Sequence, residues 1–121
     1  MESISIESSE YGPQVKLDVS GKIEISGKSM MEDAETFYDP IHSWIDNYID
    51  TKDGRFLVEF NLKYFNSSSA KQLLRMLMTI DAAEKLKAEI NWLYPAENDI
   101  LLERGEELEI MVDTPFNFKP F

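Results

Sequence analysis

The chain has 121 residues, 43% of them hydrophobic, no cysteine and a formal net charge of −11. That length and apolar share fit one cored domain spanning 1–121, and the missing cysteines exclude a disulfide framework and a thiolate metal site. The acid excess argues against nucleic acid and against an anionic membrane surface, since both attract cations.

The first ten residues, MESISIESSE, lack a basic stretch followed by an apolar one. No run approaches the ~18–20 apolar residues of a membrane span. A cytoplasmic location is therefore the expectation. Ile4 and Ile6 alternate in an opening strand or a frayed end that Gly12-Pro13 stops. Val15, Leu17 and Val19 alternate with Lys16 and Asp18, Gly21-Lys22 turns the chain, and Ile23 and Ile25 flank Glu24. This predicts a hairpin ended by Gly27.

Ser29-Met30-Met31-Glu32 has the spacing of a capping box. Phe37, Ile41, Trp44, Ile45 and Tyr48 follow at helical spacing and predict a helix over about 31–50, with Pro40 kinking it or shifting its start. Phe56, Val58, Phe60 and Leu62 alternate in the clearest strand, 55–62. Ala70, Leu73, Leu74, Leu77 and Ile80 predict a second helix over about 67–87, and Ile90, Trp92 and Tyr94 a further strand. The segment 98–113 reads as helix by Ile100, Leu101, Leu108 and Met111, or as strand by Leu108, Ile110 and Val112, and Phe116-Asn117-Phe118 fits a short edge strand. The expected fold is α/β (α+β): a mixed sheet of about four to five strands with helices mainly on one face.

Chemistry-bearing patterns are sparse. His42, the one histidine, has Tyr38, Asp39, Ile45 and Asp46 as helical neighbours and reads as a surface or boundary residue. A catalytic triad would have to use it. Three or four N/S ligands for zinc are not available, and no phosphate-binding glycine loop occurs. Glu97, Asp99, Glu103, Glu106, Glu107 and Glu109 form an acidic stretch without the glycine spacing of a calcium loop. It reads as a solvated face or as one that meets a partner. No catalytic residue, cofactor or metal is expected.

Asn66-Ser67-Ser68-Ser69 stands apart, because a strand runs into it and a helix runs out of it. Asn and Ser are preferred helix caps, so one plain reading is a cap and its filler. The other is a phosphate site. A helix start offers free N–H groups and partial positive charge, and Lys71 lies close by to help hold the added group.

The sequence resembles the SiaC family of bacterial regulatory phosphoproteins, distant relatives in fold of the STAS domains of anti-sigma factor antagonists. The likeness rests on Gly27-x-Ser29-x-x-Glu32 before a helix containing Trp44, Tyr64-Phe65-Asn66-Ser67-Ser68-Ser69-x-Lys71, Trp92-x-Tyr94, and the acidic segment ending Gly105-Glu106-Glu107. It departs from the family in having Met31-Glu32 where Pro-Glu is common. The resemblance implies a binding protein rather than an enzyme. It implies that a Ser/Thr protein kinase phosphorylates the hydroxyl stretch and a PP2C-type phosphatase reverses it. It also implies that the unphosphorylated form binds and activates a diguanylate cyclase, promoting cyclic-di-GMP signalling and biofilm formation. The family's acceptor threonine falls on Ser67, with Ser68 the runner-up, and Asn66, Ser68, Ser69 and Lys71 are the expected phosphate or partner contacts. The alternative is a non-enzymatic small-ligand or structural interaction domain whose serines only cap the helix.

Overall fold

Alternating apolar and polar residues build a sheet with one buried face and one open face. The structure, a computed structural model, describes residues 1–121. Strands β1 (Ile4–Ile6), β2 (Gln14–Asp18) and β3 (Lys22–Ser29) come first, followed by helix α1 (Ala34–Thr51), strand β4 (Gly54–Phe65) and helix α2 (Ser67–Asp81). Strand β5 (Leu86–Tyr94), helix α3 (Asp99–Glu109) and strand β6 (Phe116–Pro120) complete the chain. The six strands form one sheet in the order β1-β2-β3-β4-β5-β6. Its first two pairings are antiparallel and the remaining three parallel. The mixed α/β class is as expected, but the sheet has six strands rather than four to five. The two short edges, read as a strand or frayed end and as a short edge strand, are both paired into the sheet.

Each parallel step advances one strand in the same direction, and each is bridged by one helix. Right-handed crossovers then put all three helices on one face. Beneath them lie Val15, Leu17, Ile23, Ile25, Phe56 and Val58, all nearly inaccessible to solvent. The opposite face shows Lys16, Glu24, Glu59, Lys87 and Glu89, exposed or half-buried. No helix is long and apolar enough to cross a membrane.

The turn into β3 depends on Gly21, whose φ of 106° disfavours other residues. A Cβ there would also lie 2.6 Å from the Arg55 carbonyl oxygen. Gly27 does not end the strand. β3 continues to Ser29 and absorbs a bulge against β4 between Gly27 and Lys28.

Helix ends differ from the sequence expectation for tertiary reasons. Ser29 stays in β3, so it caps nothing, and the Ser29–Glu32 capping box does not form. Asp33 caps α1 instead, accepting from the Thr36 N–H at 3.1 Å and from the Thr36 hydroxyl at 2.6 Å. Pro40 remains inside α1, two turns from its start. α2 stops at Asp81 rather than near Lys87, because Leu86 and Lys87 are taken up as partners of Gly54 and Arg55 in β4. Pairing with the sheet outweighs the high helix propensity of residues 82–87, Ala-Ala-Glu-Lys-Leu-Lys. The ambiguous tail is helix over Asp99–Glu109, capped by Asn98, whose Oδ1 accepts from the Leu101 N–H at 3.0 Å.

Candidate functional site at the start of α2

The last residue of β4 anchors the start of α2. Phe65 is buried, its ring centroid 5.9 Å from that of Trp92 in an edge-on contact. The Arg104 guanidinium covers the ring at 4.1 Å. The next residue, Asn66, leaves the strand with extended backbone and caps α2. Its Oδ1 accepts from the Ser69 N–H at 2.9 Å, and its Nδ2 donates to the Met31 carbonyl at 3.1 Å. The Asn66 N–H donates to the Ser29 carbonyl at 3.0 Å. The helix start is thus tied both to the end of β3 and to the loop before α1.

The three serines divide by depth. Ser67 is exposed and its hydroxyl makes no hydrogen bond within the protein. Ser68 is half-buried; its hydroxyl donates to Asn66 Oδ1 at 3.2 Å and lies 3.5 Å from the Met31 carbonyl. Ser69 is wholly buried, 0% exposed, and faces inward. Its expected part as a phosphate or partner contact is corrected to a supporting one, since the helix turns this position toward β3.

Ser69 belongs to a hydroxyl relay that the local sequence did not reveal. Its Oγ donates to the Ser29 carbonyl at 2.9 Å, and Ser29 Oγ donates to Ser69 Oγ at 2.7 Å. Tyr38 Oη lies 2.8 Å from Ser29 Oγ. With the Ser29 proton committed to Ser69, Tyr38 is the donor in that contact. Burial pushes the Tyr38 hydroxyl up to about 12, with the Ser29 hydrogen bond opposing, so it stays protonated. The Met31 sulfur lies 3.6 Å from both serine oxygens. No buried side-chain nitrogen or oxygen is left without a partner. Ser29 and Ser69 are 40 positions apart, and Tyr38 lies on a third element, so spacing carries no signal for the relay.

Lys71 is exposed one turn beyond Ser67 on the same side of α2. The first turn of α2 holds no acidic side chain, whereas α1 and α3 carry Glu35 and Asp99 there. The partial positive charge of this helix start is therefore not offset locally.

His42 is 5% exposed, not a surface or boundary residue. α1 turns it toward α2, where its Nε2 lies 2.8 Å from Gln72 Oε1. Burial holds its pKa below the ordinary value, against the opposing Gln72 hydrogen bond. No three acidic or histidine side chains converge closely enough to hold a metal ion. Asp99, Glu103, Glu106, Glu107 and Glu109 spread along α3, all exposed.

The fold and this helix start define a class: a small α/β module whose chemically distinctive place is a surface hydroxyl on a firmly anchored helix. A family model described as SiaC family regulatory phosphoprotein matches residues 6–121. The chain belongs to that family, and it is a regulatory protein, not an enzyme. An uncharacterized protein of Pseudomonas aeruginosa is 23% identical over 121 residues, 96% of this chain and 94% of its own. The crystal structure of apo-SiaC from P. aeruginosa superposes with a TM-score of 0.90 at 20% identity, covering 98% of this chain and 99% of that one. The structure of the diguanylate cyclase SiaD in complex with its activator SiaC, from the same organism, gives a TM-score of 0.92 at 20% identity, with 98% and 99% covered. At that identity the structural likeness carries the fold.

Proposed function

We propose that this chain is a phosphorylation-switched activator of a diguanylate cyclase, with Ser67 as the phosphate acceptor. The reading draws on the family and on the relative that is a cyclase activator. The observation that carries the acceptor is the free Ser67 hydroxyl: Asn66 does the capping, so Ser67 is not needed for it. In the kinase step, Ser67 Oγ attacks the γ-phosphorus of ATP, ADP departs and the hydroxyl proton passes to the kinase's base. In the step catalysed by a PP2C-type phosphatase, water attacks that phosphorus, inorganic phosphate departs and a proton returns to Ser67 Oγ.

The phosphate brings about 1.5–2 negative charges to the head of α2, where N–H groups and Lys71 favour it. It changes the surface while the cap and the buried relay stay intact. Ser68 is the less suited acceptor, since its hydroxyl already bonds to Asn66 Oδ1 and a phosphate there would disturb the cap.

The test is phosphopeptide mass spectrometry after incubation with the source organism's kinase, combined with binding to its cyclase. Wild type and Ser67→Ala should bind alike, and Ser67→Asp should bind at least about tenfold more weakly, a loss of roughly 1.4 kcal/mol. Equal binding by all three proteins overturns the switch and favours an interaction domain whose serines only support the helix. Phosphate found on Ser68 moves the acceptor by one residue.

A further inference from the structure

Neighbouring strands lie about 4.8 Å apart, so register decides which charges on a sheet face stand side by side. On the open face of this sheet Lys16 is in register with Glu24 and Asp18 with Lys22, while Lys22 and Glu89 flank Leu57. Two pairs bring like charges together. Glu24 stands beside Glu59, but Lys22 offsets it through the 3.1 Å ion pair to Glu24, and Lys16 lies on the other side. Arg55 stands beside Lys87 at the start of β4 and β5, and no carboxylate lies within 4.0 Å of either.

Nearby carboxylates are engaged elsewhere. Glu89, two residues beyond Lys87 on β5, accepts from Asn117 Nδ2 of β6 at 3.1 Å. Asp18 accepts from the Ser20 N–H at 2.8 Å. Arg55 and Lys87 are both exposed, and with Ser20, Gly21, Leu57 and Glu89 they line a recess of about 250 Å³. That is smaller than the ~300–1,000 Å³ of pockets that enclose a drug-sized ligand. The chain has 23 acidic residues against 12 basic ones, yet it sets two cations side by side with no carboxylate between them. Their repulsion burdens the folded state until an anion joins them.

We propose that the recess at the start of β4 and β5 binds the phosphate group of a small molecule between Arg55 and Lys87. Two adjacent cations match a dianion. A phosphate monoester gathers close to two negative charges on one tetrahedral group near pH 7, whereas a single carboxylate carries one. The Arg55 guanidinium is a planar fork that donates parallel N–H bonds to two phosphate oxygens, and Lys87 adds a point charge with three donors. Neither needs to leave its strand, so the sheet holds both in place before the ligand arrives. Ser67 lies beyond the other end of the 12-residue β4, roughly 30–40 Å away along the strand. The recess is thus separate from the acceptor serine and stands whether or not a cyclase is the partner.

Amide chemical shifts of the full chain, titrated with sodium phosphate, glycerol phosphate and sodium succinate at matched ionic strength, test the proposal. Phosphate should shift Gly21, Arg55 and Lys87 saturably, and succinate, whose charges sit on two separate groups, should bind at least about fivefold more weakly. Arg55→Gln and Lys87→Gln should each weaken phosphate binding at least about tenfold. Lys16→Gln, which changes the net charge equally elsewhere on the same face, should stay within about twofold. The cation pair also has a readout without ligand. At low salt Lys87→Gln should melt about 1–4 °C above wild type, a gain that shrinks at high salt, and Lys16→Gln should show no such gain. The same melts check that each variant is folded. Tighter binding of glycerol phosphate assigns a phosphomonoester as the ligand; equal or weaker binding assigns the free ion. Shifts confined to Ser67–Lys71 would put the phosphate at the head of α2 and overturn the site. Glutamine variants that bind phosphate like wild type overturn it too, as does succinate bound equally tightly. A Lys87→Gln chain that melts below wild type at low salt shows the two cations to be satisfied within the protein, and overturns it as well.

Discussion

At the head of α2, two residues apart, Ser67 is exposed without a hydrogen-bond partner while Ser69 is buried against Ser29. A phosphate acceptor of the kind proposed for Ser67 has to reach an enzyme, and the helix it begins has to hold still once charged. Separate side chains meet these two demands here. The difference is measurable as stability. Ser69→Ala removes an acceptor from Ser29 Oγ and a donor from the Ser29 carbonyl inside the protein, and is expected to cost about 1–3 kcal/mol. Ser67→Ala touches no hydrogen bond and should stay within about 0.5 kcal/mol of wild type. Urea denaturation of the two variants compares them directly, and equal midpoints would show that the relay does not support the helix. The sequence made the Asn66–Ser69 stretch conspicuous through cap chemistry and, by resemblance, pointed to Ser67. It did not separate the outward serine from the inward one, because that depends on how α2 is rotated against β3.

Elements meet at places where one side chain decides the approach. Gly105 sits inside α3, where alanine would be the better helix former by about 1 kcal/mol. Glycine is there because Trp92 lies directly beneath: a Cβ at position 105 would come within 2.6 Å of the indole Nε1, which donates to the Leu101 carbonyl at 3.0 Å. Gly105→Ala should therefore destabilise by about 1–3 kcal/mol through overpacking, despite its helix propensity. Thermal melts with a tryptophan fluorescence readout check this, and a gain in stability would contradict the close approach. Between α1 and α2 the deciding contact is His42 with Gln72, near Arg75, Asp39 and Asp46. Burial lowers the His42 pKa in the folded state, so below the ordinary value of 6.5 the unfolded chain takes up a proton that the folded chain resists. Its contribution is intact above that value and is lost as pH falls toward the folded pKa. Between about pH 7 and 5.5 the wild type should lose melting temperature that His42→Gln does not. The lowered carboxylates Asp18, Asp33 and Asp81 lose their contributions only below 3.8, a separate window. If the wild type and His42→Gln decline in parallel, that contact is not the source.

Across the whole molecule, apolar alternation in β2, β3 and β4 and helical spacing in α1 and α2 were enough to read the class, the order of elements and one-sided helical cover. The likeness carried by Trp92-x-Tyr94 and the serine stretch was enough to read the family. The edges were legible only in part: Ile4 and Ile6 fit a strand or a frayed end and Phe116-Asn117-Phe118 a short edge strand, and pairing with β2 and β5 is what makes both of them strands. The end of α2 was hidden for the same reason: Leu86 and Lys87 are in a strand only because β4 lies beside them.

The strand order, which simply repeats the chain order, bears on how the molecule is made. A chain emerging from the ribosome with its N-terminus first can complete the β1–β3 meander from local contacts alone. Each later strand then adds to the free edge left by the one before, and none has to be inserted between two already paired. The long-range loop closures that slow many sheet proteins are limited to single helical crossovers. Only one unpaired edge therefore advances during synthesis, and β6 closes it last, presenting Lys119 and Pro120 against further strand addition.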